Sequence, residues 1–389
     1  MHQMIKGTFP TEKFKELSTP FYFYDTNLLK ETLTTLCNET KKHAIRAHYA
    51  VKANANKKIL SIIANYGLGA DCVSGNEIKA ALQAGFPASK VVFAGVGKDD
   101  WEINFALDND IFCFNCESIP EMEIINQLAK AKNKTASIAL RINPNVKADT
   151  HSYITTGIAE NKFGINIADL EKVLGITQEL SNVTLIGLHF HIGSQICEMD
   201  NFRSLCNRVN EIQEWFYDRN IIVENINVGG GLGINYEHPN HFPIPDFKAY
   251  IDVFKQHLKL NPSQTLHIEP GRSVVAQCGS LIAKVLYVKE GTNTKFAILN
   301  AGMTDLIRPA LYQAYHRIEN ITSNGDTEKY DVVGPICESS DVFGKAFDIN
   351  KVTRGDLFAI RSAGAYGEVM ASQSTLRELP KAYLSEDLF

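Results

Sequence analysis

Four features of this chain hold residue types that could do chemistry together. They are a lysine after an apolar run, a spaced histidine pair, a run of glycines and a Glu-Pro-Gly-Arg segment. The lysine is Lys52, in His48-Tyr-Ala-Val-Lys-Ala-Asn54. Alone it reads equally well as a solvated rim charge, so its meaning depends on the other three. In Gly187-Leu-His-Phe-His-Ile-Gly-Ser-Gln195, residues two apart on a strand share a face, which points His189 and His191 the same way. Such a pair can hold a metal, the chemistry of a metal-dependent hydrolase. Alternatively, one imidazole lies flat on an aromatic cofactor and the other is a hydrogen-bonded core histidine. A metal needs more ligands at neighbouring strand ends, and the lysine, glycines and Glu-Pro found there supply that reading poorly.

Gly229-Gly-Gly-Leu-Gly233 lets the backbone approach closely and aims N–H groups at an anion. A plain tight turn rarely needs so many glycines, and the segment is not the G-x-G-x-x-G of a dinucleotide site. In Glu269-Pro-Gly-Arg272 the two charges could pair with each other. With a phosphate nearby, Arg272 suits the anion through its charge and donor fork, and Glu269 can accept from a heterocyclic N–H. An amine, a stacking surface, an anion cradle and a carboxylate are what pyridoxal 5'-phosphate requires, and its protonated ring stabilises negative charge at an amino acid's α-carbon. The expected chemistry is at the α-carbon of an amino acid, with the cofactor bound covalently to Lys52.

The elements that would position these residues follow from a rhythm of short apolar runs, each followed by helical spacing. The runs are Ala47–Ala53, Gly69–Ser74, Val91–Val96, Ile111–Cys116, Ser137–Asn143, Leu185–Ile192, Asn225–Gly229 and Leu266–Glu269. Asn76–Ala84, Ser118–Ala131 and Phe202–Tyr217 are helix-like, and Ser118 with Glu121 has capping-box spacing. Eight strands alternating with helices over roughly 225 residues predict an α/β fold, a (β/α)8 TIM barrel with its reactive groups at the C-terminal strand ends. Past Pro270 the texture changes to strands and turns: Leu281–Val288, Lys295–Leu299, Tyr330–Val333 and Asp356–Arg361, to which Thr19–Tyr24 could add. The expected organisation is a cofactor-binding barrel over residues 26–272. Residues 1–25 plus 273–389 would form a mainly antiparallel β-barrel or sandwich domain.

Composition agrees with a globular enzyme: 44% of residues are hydrophobic and 21% charged. The net charge of −5, with no basic block, argues against nucleic acid or an anionic membrane surface as partners. No signal-peptide pattern and no long apolar span are present, so a cytoplasmic protein is expected. Eight cysteines, mostly in apolar runs, read as buried free thiols; the C-x-x-C at Cys113 and Cys116 reads as core packing.

These residues resemble the alanine-racemase-like, fold-type III class of pyridoxal-phosphate enzymes, and within it the decarboxylases that act on diaminopimelate. The resemblance runs from about Phe21 to the C-terminus. It is carried by Tyr49-Ala-Val-Lys-Ala-Asn54, Arg141-Ile-Asn-Pro-Asn-Val146, His151-Ser-Tyr-Ile-Thr-Thr-Gly157 with Asn161-Lys-Phe-Gly164, and His189-Phe-His-Ile-Gly-Ser194. Further on it is carried by Glu269-Pro-Gly-Arg272, Met303-Thr-Asp-Leu-Ile-Arg-Pro-Ala-Leu-Tyr312 and Cys337-Glu-Ser-Ser-Asp341. It implies that Lys52 carries the cofactor, supported by Asp71, and that His191 stacks on the ring. Ser194, Gly229, Gly230, Gly231, Gly271 and Arg272 would complete the phosphate end, with Glu269 on the pyridine nitrogen.

By the same resemblance Cys337 is the proton donor after carbon dioxide leaves, and Glu338 contacts the substrate's distal ammonium. Arg308 and Tyr312, helped by Arg272, bind the distal carboxylate, and Tyr366 of Gly364-Ala-Tyr-Gly367 reaches cofactor and substrate. A Cys337 loop entering the partner's active site implies a homodimer. From the residues alone Cys337 reads as a buried thiol, and Arg308 and Tyr312 could lie on an exposed or interface helix. A cation for a second carboxylate favours meso-diaminopimelate over ornithine or arginine, so the expected products are L-lysine and carbon dioxide. The alternatives are a decarboxylase of carboxynorspermidine or a basic amino acid, and a catalytically dead homologue that binds partners. Two departures from the family pattern, Asn76 and Ser340, stand where glycines are usual.

Overall fold

The computed structural model describes residues 7–146 and 162–388; the His151–Gly157 segment and Asn161 lie outside them. The chain divides into two compact units. The first comprises residues 1–32, 234–245 and 272–389; the second comprises 33–233 and 246–271.

After β1 (Phe21–Tyr24), the strands β2 (Arg46–Ala50), β3 (Gly69–Cys72), β4 (Val91–Phe93) and β5 (Cys113–Cys116) run in order. They are followed by β6 (Ala136–Arg141), β7 (Val183–His189), β8 (Asn225–Asn227) and β9 (Thr265–Ile268). Strands β2 to β9 close an all-parallel eight-stranded barrel, sealed where Arg46 and Ala47 of β2 pair with His267 and Ile268 of β9. These are the eight runs expected from the sequence. A barrel strand is covered on both faces, so β3, β4, β5 and β8 are buried along their whole length. Cys113 packs with Val92 and Ala139 in this core, and Cys116 is buried as well, in keeping with their packing role.

The helices between the strands form for local reasons. Ile119–Ala131 starts with the Ser118 hydroxyl accepting from the Glu121 N–H and buries Met122, Ile125 and Ala129 at helical spacing. The other half of the expected capping box is diverted, since the Glu121 carboxylate accepts from the Glu117 N–H and pairs with the buried Lys98. Gly75–Ala84 is capped by Ser74 and stopped by Gly85 at φ 101°, a conformation glycine reaches without a steric penalty. Met199–Tyr217 begins three residues before the Phe202 start that apolar periodicity indicated.

The other unit is built on β1 with β10 (Gly279–Glu290), β11 (Lys295–Leu299), β12 (Ile318–Asn320), β13 (Thr327–Val333), β14 (Val342–Asn350), β15 (Leu357–Ile360) and β16 (Lys381–Leu384). The path is β12-β15-β10-β11-β13-β14, with β1 bonded to both β10 and β16. Among the described strands of this sheet only the β1–β16 and β11–β13 pairs are parallel, so it is mainly antiparallel as expected. Phe14, Phe21, Phe23, Ile282, Leu357 and Ala359 form one of its cores.

Candidate active site

At the barrel's C-terminal strand ends, β2 stops at Ala50 and the chain tightens into a 3-10 turn, Val51–Ala53. The sequence suggested strand through Ala53; the turn instead lifts Lys52 off the ladder. Its Nζ lies 3.0 Å from Oδ2 of Asp71, with the lysine side chain 39% exposed and the aspartate 1%. Burial raises the Asp71 carboxyl above its ordinary value and the charge of Glu269 adds to this, while Lys52 opposes it. Oδ1 of Asp71 is buried without a hydrogen-bond partner. Gly271 packs against this turn: a Cβ there would press on Ala50 and Ala53.

Glu269 follows β9. Its Oε2 is 3.0 Å from Nε2 of His189, and its Oε1 accepts from Asn227 at 2.7 Å and more weakly from Asn115 at 3.4 Å. Burial alone would raise this carboxyl; the bonded His189, with Lys52 and His48, outweighs it and holds Glu269 well below the usual carboxylate range. The two amides donate to it and His189 meets it through a ring nitrogen, a set of partners that suits a carboxylate. β7 ends at His189, and His191 follows it in the loop, so the two histidines are used differently. Burial, reinforced by the nearby cations Arg141 and Lys52, lowers His191 far below its ordinary value, which leaves a neutral flat ring.

Beside that ring, Gly229 and Gly231 adopt φ of 70° and 104°. Gly229 and Gly230 are also crowded: a Cβ at 230 would collide with the Glu269 carbonyl, and one at 229 with the Phe190 carbonyl. Backbone is all that fits, which is the condition for an amide cradle. Gly230 N–H faces Nδ1 of His191 at 3.4 Å, and Ser194 is half-buried in the loop that follows.

Arg141 ends β6, is buried, and pairs with Glu117 at 2.6 Å. Glu117 also accepts from the Gly164 N–H at 2.8 Å, which ties this cation beside His191 to the strand-end loops. The sequence reading gave Arg141 no role. A charged residue closing an apolar barrel strand was the available signal.

The other unit gathers its own set. Arg272 opens a short helix, Arg272–Val275, is buried, donates from Nη1 to the Tyr236 hydroxyl at 2.7 Å, and lies over the Tyr366 ring. Tyr366 has φ 57°, a left-handed conformation that a side chain strains to adopt. Arg308, at the head of the helix Arg308–Tyr312, is also buried, so of the two placements open to it the exposed one does not hold. Its guanidinium lies over the Tyr236 ring at 5.0 Å and donates to His316 at 2.8 Å. Tyr312 is half-buried at the end of that helix. Tyr236 and His316 have no local motif, and the sequence reading missed both.

Cys337 and Glu338 are exposed, which corrects the expectation of a buried thiol at 337. Neither side chain makes a hydrogen bond or ion pair with a described residue. Their loop is pinned beneath them: the Asp341 carboxylate accepts from the N–H groups of Met303 (2.6 Å) and Ile336 (2.7 Å). Ser340 is exposed, with its hydroxyl facing the Met303 sulfur, and Asn76 is exposed in the first turn of its helix.

A closed parallel barrel bearing an amine on a strand-end turn, a retained carboxylate, a neutral imidazole and a glycine cradle defines the class of barrel enzymes that use pyridoxal 5'-phosphate. The residues present fit that group, since each of its amine, ring-nitrogen and phosphate requirements meets a matching donor or acceptor. Residues 29–276 match the family model of the pyridoxal-dependent decarboxylases, pyridoxal binding domain, and the chain belongs to this family. It is 65% identical to the diaminopimelate decarboxylase of Bacteroides thetaiotaomicron, over 99% of this chain and 100% of that one. The Helicobacter pylori diaminopimelate decarboxylase is 41% identical over 94% and 90% of the two chains. A crystal structure of diaminopimelate decarboxylase from H. pylori complexed with L-lysine matches with TM-score 0.89 at 38% identity, covering 97% of this chain and 94% of that one. Among the described residues no helix is long and apolar enough to cross a membrane.

Proposed function

We propose that this chain decarboxylates meso-2,6-diaminopimelate to L-lysine and carbon dioxide with pyridoxal 5'-phosphate, the last step of lysine synthesis. The observation that carries the substrate choice is Arg308, a buried guanidinium bonded to a neutral imidazole and an aromatic face. An ornithine-type substrate ends in an ammonium and gains nothing from such a cation, whereas a second carboxylate does. Relatives named for diaminopimelate, at 65% and about 40% identity, support the same choice.

When bound, the cofactor supplies the electron sink that lets the bond between the α-carbon and its carboxylate break. Lys52 is its covalent anchor, and Asp71 holds the lysine amine at the strand end. Glu269, kept ionised by His189, Asn227 and Asn115, takes the ring N–H and so keeps the ring protonated. Gly229, Gly230 and Gly231, with Ser194, Gly271 and Arg272, bind the phosphate, and His191 presents its neutral face to the ring. Arg308 and Tyr312, with Arg272, hold the distal carboxylate, Glu338 takes the distal ammonium, and Tyr366 orients the bound substrate. Once carbon dioxide has departed, the Cys337 thiol gives its proton to the α-carbon and is reprotonated from water.

An exposed thiol on a pinned loop suits a residue completed by another chain, and we assign the working form as a cytoplasmic homodimer with the Cys337 loop serving the partner's site. The test is carbon dioxide release from diaminopimelate stereoisomers, ornithine, arginine and carboxynorspermidine with cofactor added. Release from the meso isomer above all others is the expected result, and preference for a diamine precursor would overturn it.

A further inference from the structure

Buried arginines in this protein are held in two ways. Arg361 is paired with Glu319 at 3.0 Å and Arg141 with Glu117 at 2.6 Å, so their charge is cancelled by a fixed carboxylate. Arg308 is as deeply buried, at 5% exposure, but among the described residues no carboxylate lies within ion-pair distance of it. Its held partners are Nε2 of His316, 2.8 Å from Nη1, and the face of Tyr236.

The protonation of His316 follows from geometry. A guanidinium has only donors, so Nε2 must accept, and the one ring proton sits on Nδ1. There it donates to the Arg361 carbonyl at 2.8 Å. A second proton would set an N–H against the guanidinium N–H. Burial and the charge of Arg308 agree, pushing His316 down to about 3. The ring is therefore a neutral acceptor over the whole working range of pH.

A neutral acceptor has a consequence that a carboxylate lacks. It fixes the direction of the Arg308 fork by satisfying one N–H, and it leaves the positive charge uncompensated in a low-dielectric setting. We propose that His316 is a positioning residue for recognition of the substrate's distal carboxylate, orienting Arg308 without neutralising it. This rests on the reading of Arg308 as the distal-carboxylate site.

The test compares His316→Leu (acceptor removed), His316→Gln (neutral acceptor kept) and His316→Glu (acceptor carrying charge), each as cofactor-loaded enzyme. KM and kcat are measured for meso-diaminopimelate, with inhibition constants for L-lysine, which keeps one amino-carboxylate end, and cadaverine, which keeps none. In His316→Leu, KM and the L-lysine constant should rise about tenfold while kcat stays within about twofold and the cadaverine constant holds. His316→Gln should return both toward wild type. His316→Glu should bind worse than His316→Leu although its acceptor is restored.

Equal losses for L-lysine and cadaverine, a fall in kcat with KM unmoved, or His316→Glu matching His316→Gln would overturn the proposal. Should His316→Leu fail to fold, the Gln and Glu variants decide by themselves. Wild-type enzyme inert toward diaminopimelate would instead overturn the substrate reading, and dissociation constants of L-lysine and cadaverine, read from the absorbance of the cofactor-loaded protein, would still judge His316.

Discussion

The barrel's strand ends and the Arg272–Arg308 cluster of the other unit handle buried charge in opposite ways. At the strand ends each charged group has a charged or ionisable counterpart: Lys52 with Asp71, Glu269 with His189, Arg141 with Glu117, Lys98 with Glu121. Around Arg308 the partners are a neutral imidazole and a phenol ring. Paired charges fix the protonation and direction of groups that meet a resident cofactor. A cation on neutral supports keeps its attraction for a ligand that comes and goes. Burying it costs folding free energy, and a bound carboxylate returns part of that.

The largest effect that could break this comparison is at Lys52. Lys52→Ala should abolish the visible absorption of the cofactor-loaded protein and lower kcat about a thousandfold or more. A yellow, active variant would remove Lys52 from the chemistry. Next, Glu269→Gln should cut kcat about a hundredfold with KM little changed, because a preorganised charge is lost where charge develops. A change confined to KM would reassign Glu269 to substrate binding.

Smaller still, Gly230→Ala should weaken cofactor retention about tenfold in equilibrium dialysis, since the added methyl collides with the Glu269 carbonyl. Unchanged retention would mean the cradle gives way. The smallest effect tests charge without function. Burial raises Glu77 to about 7, so the folded state holds a proton the unfolded state has released between its ordinary value of 4.5 and that point. Stability from this group is present below 4.5 and lost as pH rises through 7. Glu77→Gln removes the loss, so denaturant melts from pH 5 to 8 should show the variant gaining on the order of 3 kcal/mol over wild type. A constant difference would place the carboxyl in water.

The barrel was legible because its strands are covered on both faces and stand out as apolar runs, and because Lys52, the glycines and Glu269 sit in short contiguous motifs. Three strands of the other sheet were not. Ile318–Asn320 conceals its burial behind Glu319 and Asn320, whose side chains meet Arg361 and Asp356. Val342–Asn350 is interrupted at Ala346 (φ 54°) and pairs with β13 through register shifts, which erases alternation. Lys381–Leu384 is four residues long, and only its last is buried. Among site residues, Tyr236 and His316 gain meaning only when chain positions 236, 272, 308, 316 and 366 meet, and no sequence spacing encodes that meeting. Cys337 is exposed because Asp341 gathers the backbone beneath it, a long-range contact with Met303 that local hydrophobicity does not report.

The central claim is that Arg308 selects a substrate with two amino-carboxylate ends. Its most direct test is the ratio of kcat/KM for meso-diaminopimelate to that for L-ornithine, in wild type and in Arg308→Ala. The ratio should be large in wild type and fall about a hundredfold in the variant, chiefly through KM for diaminopimelate. A ratio that does not move would contradict the account.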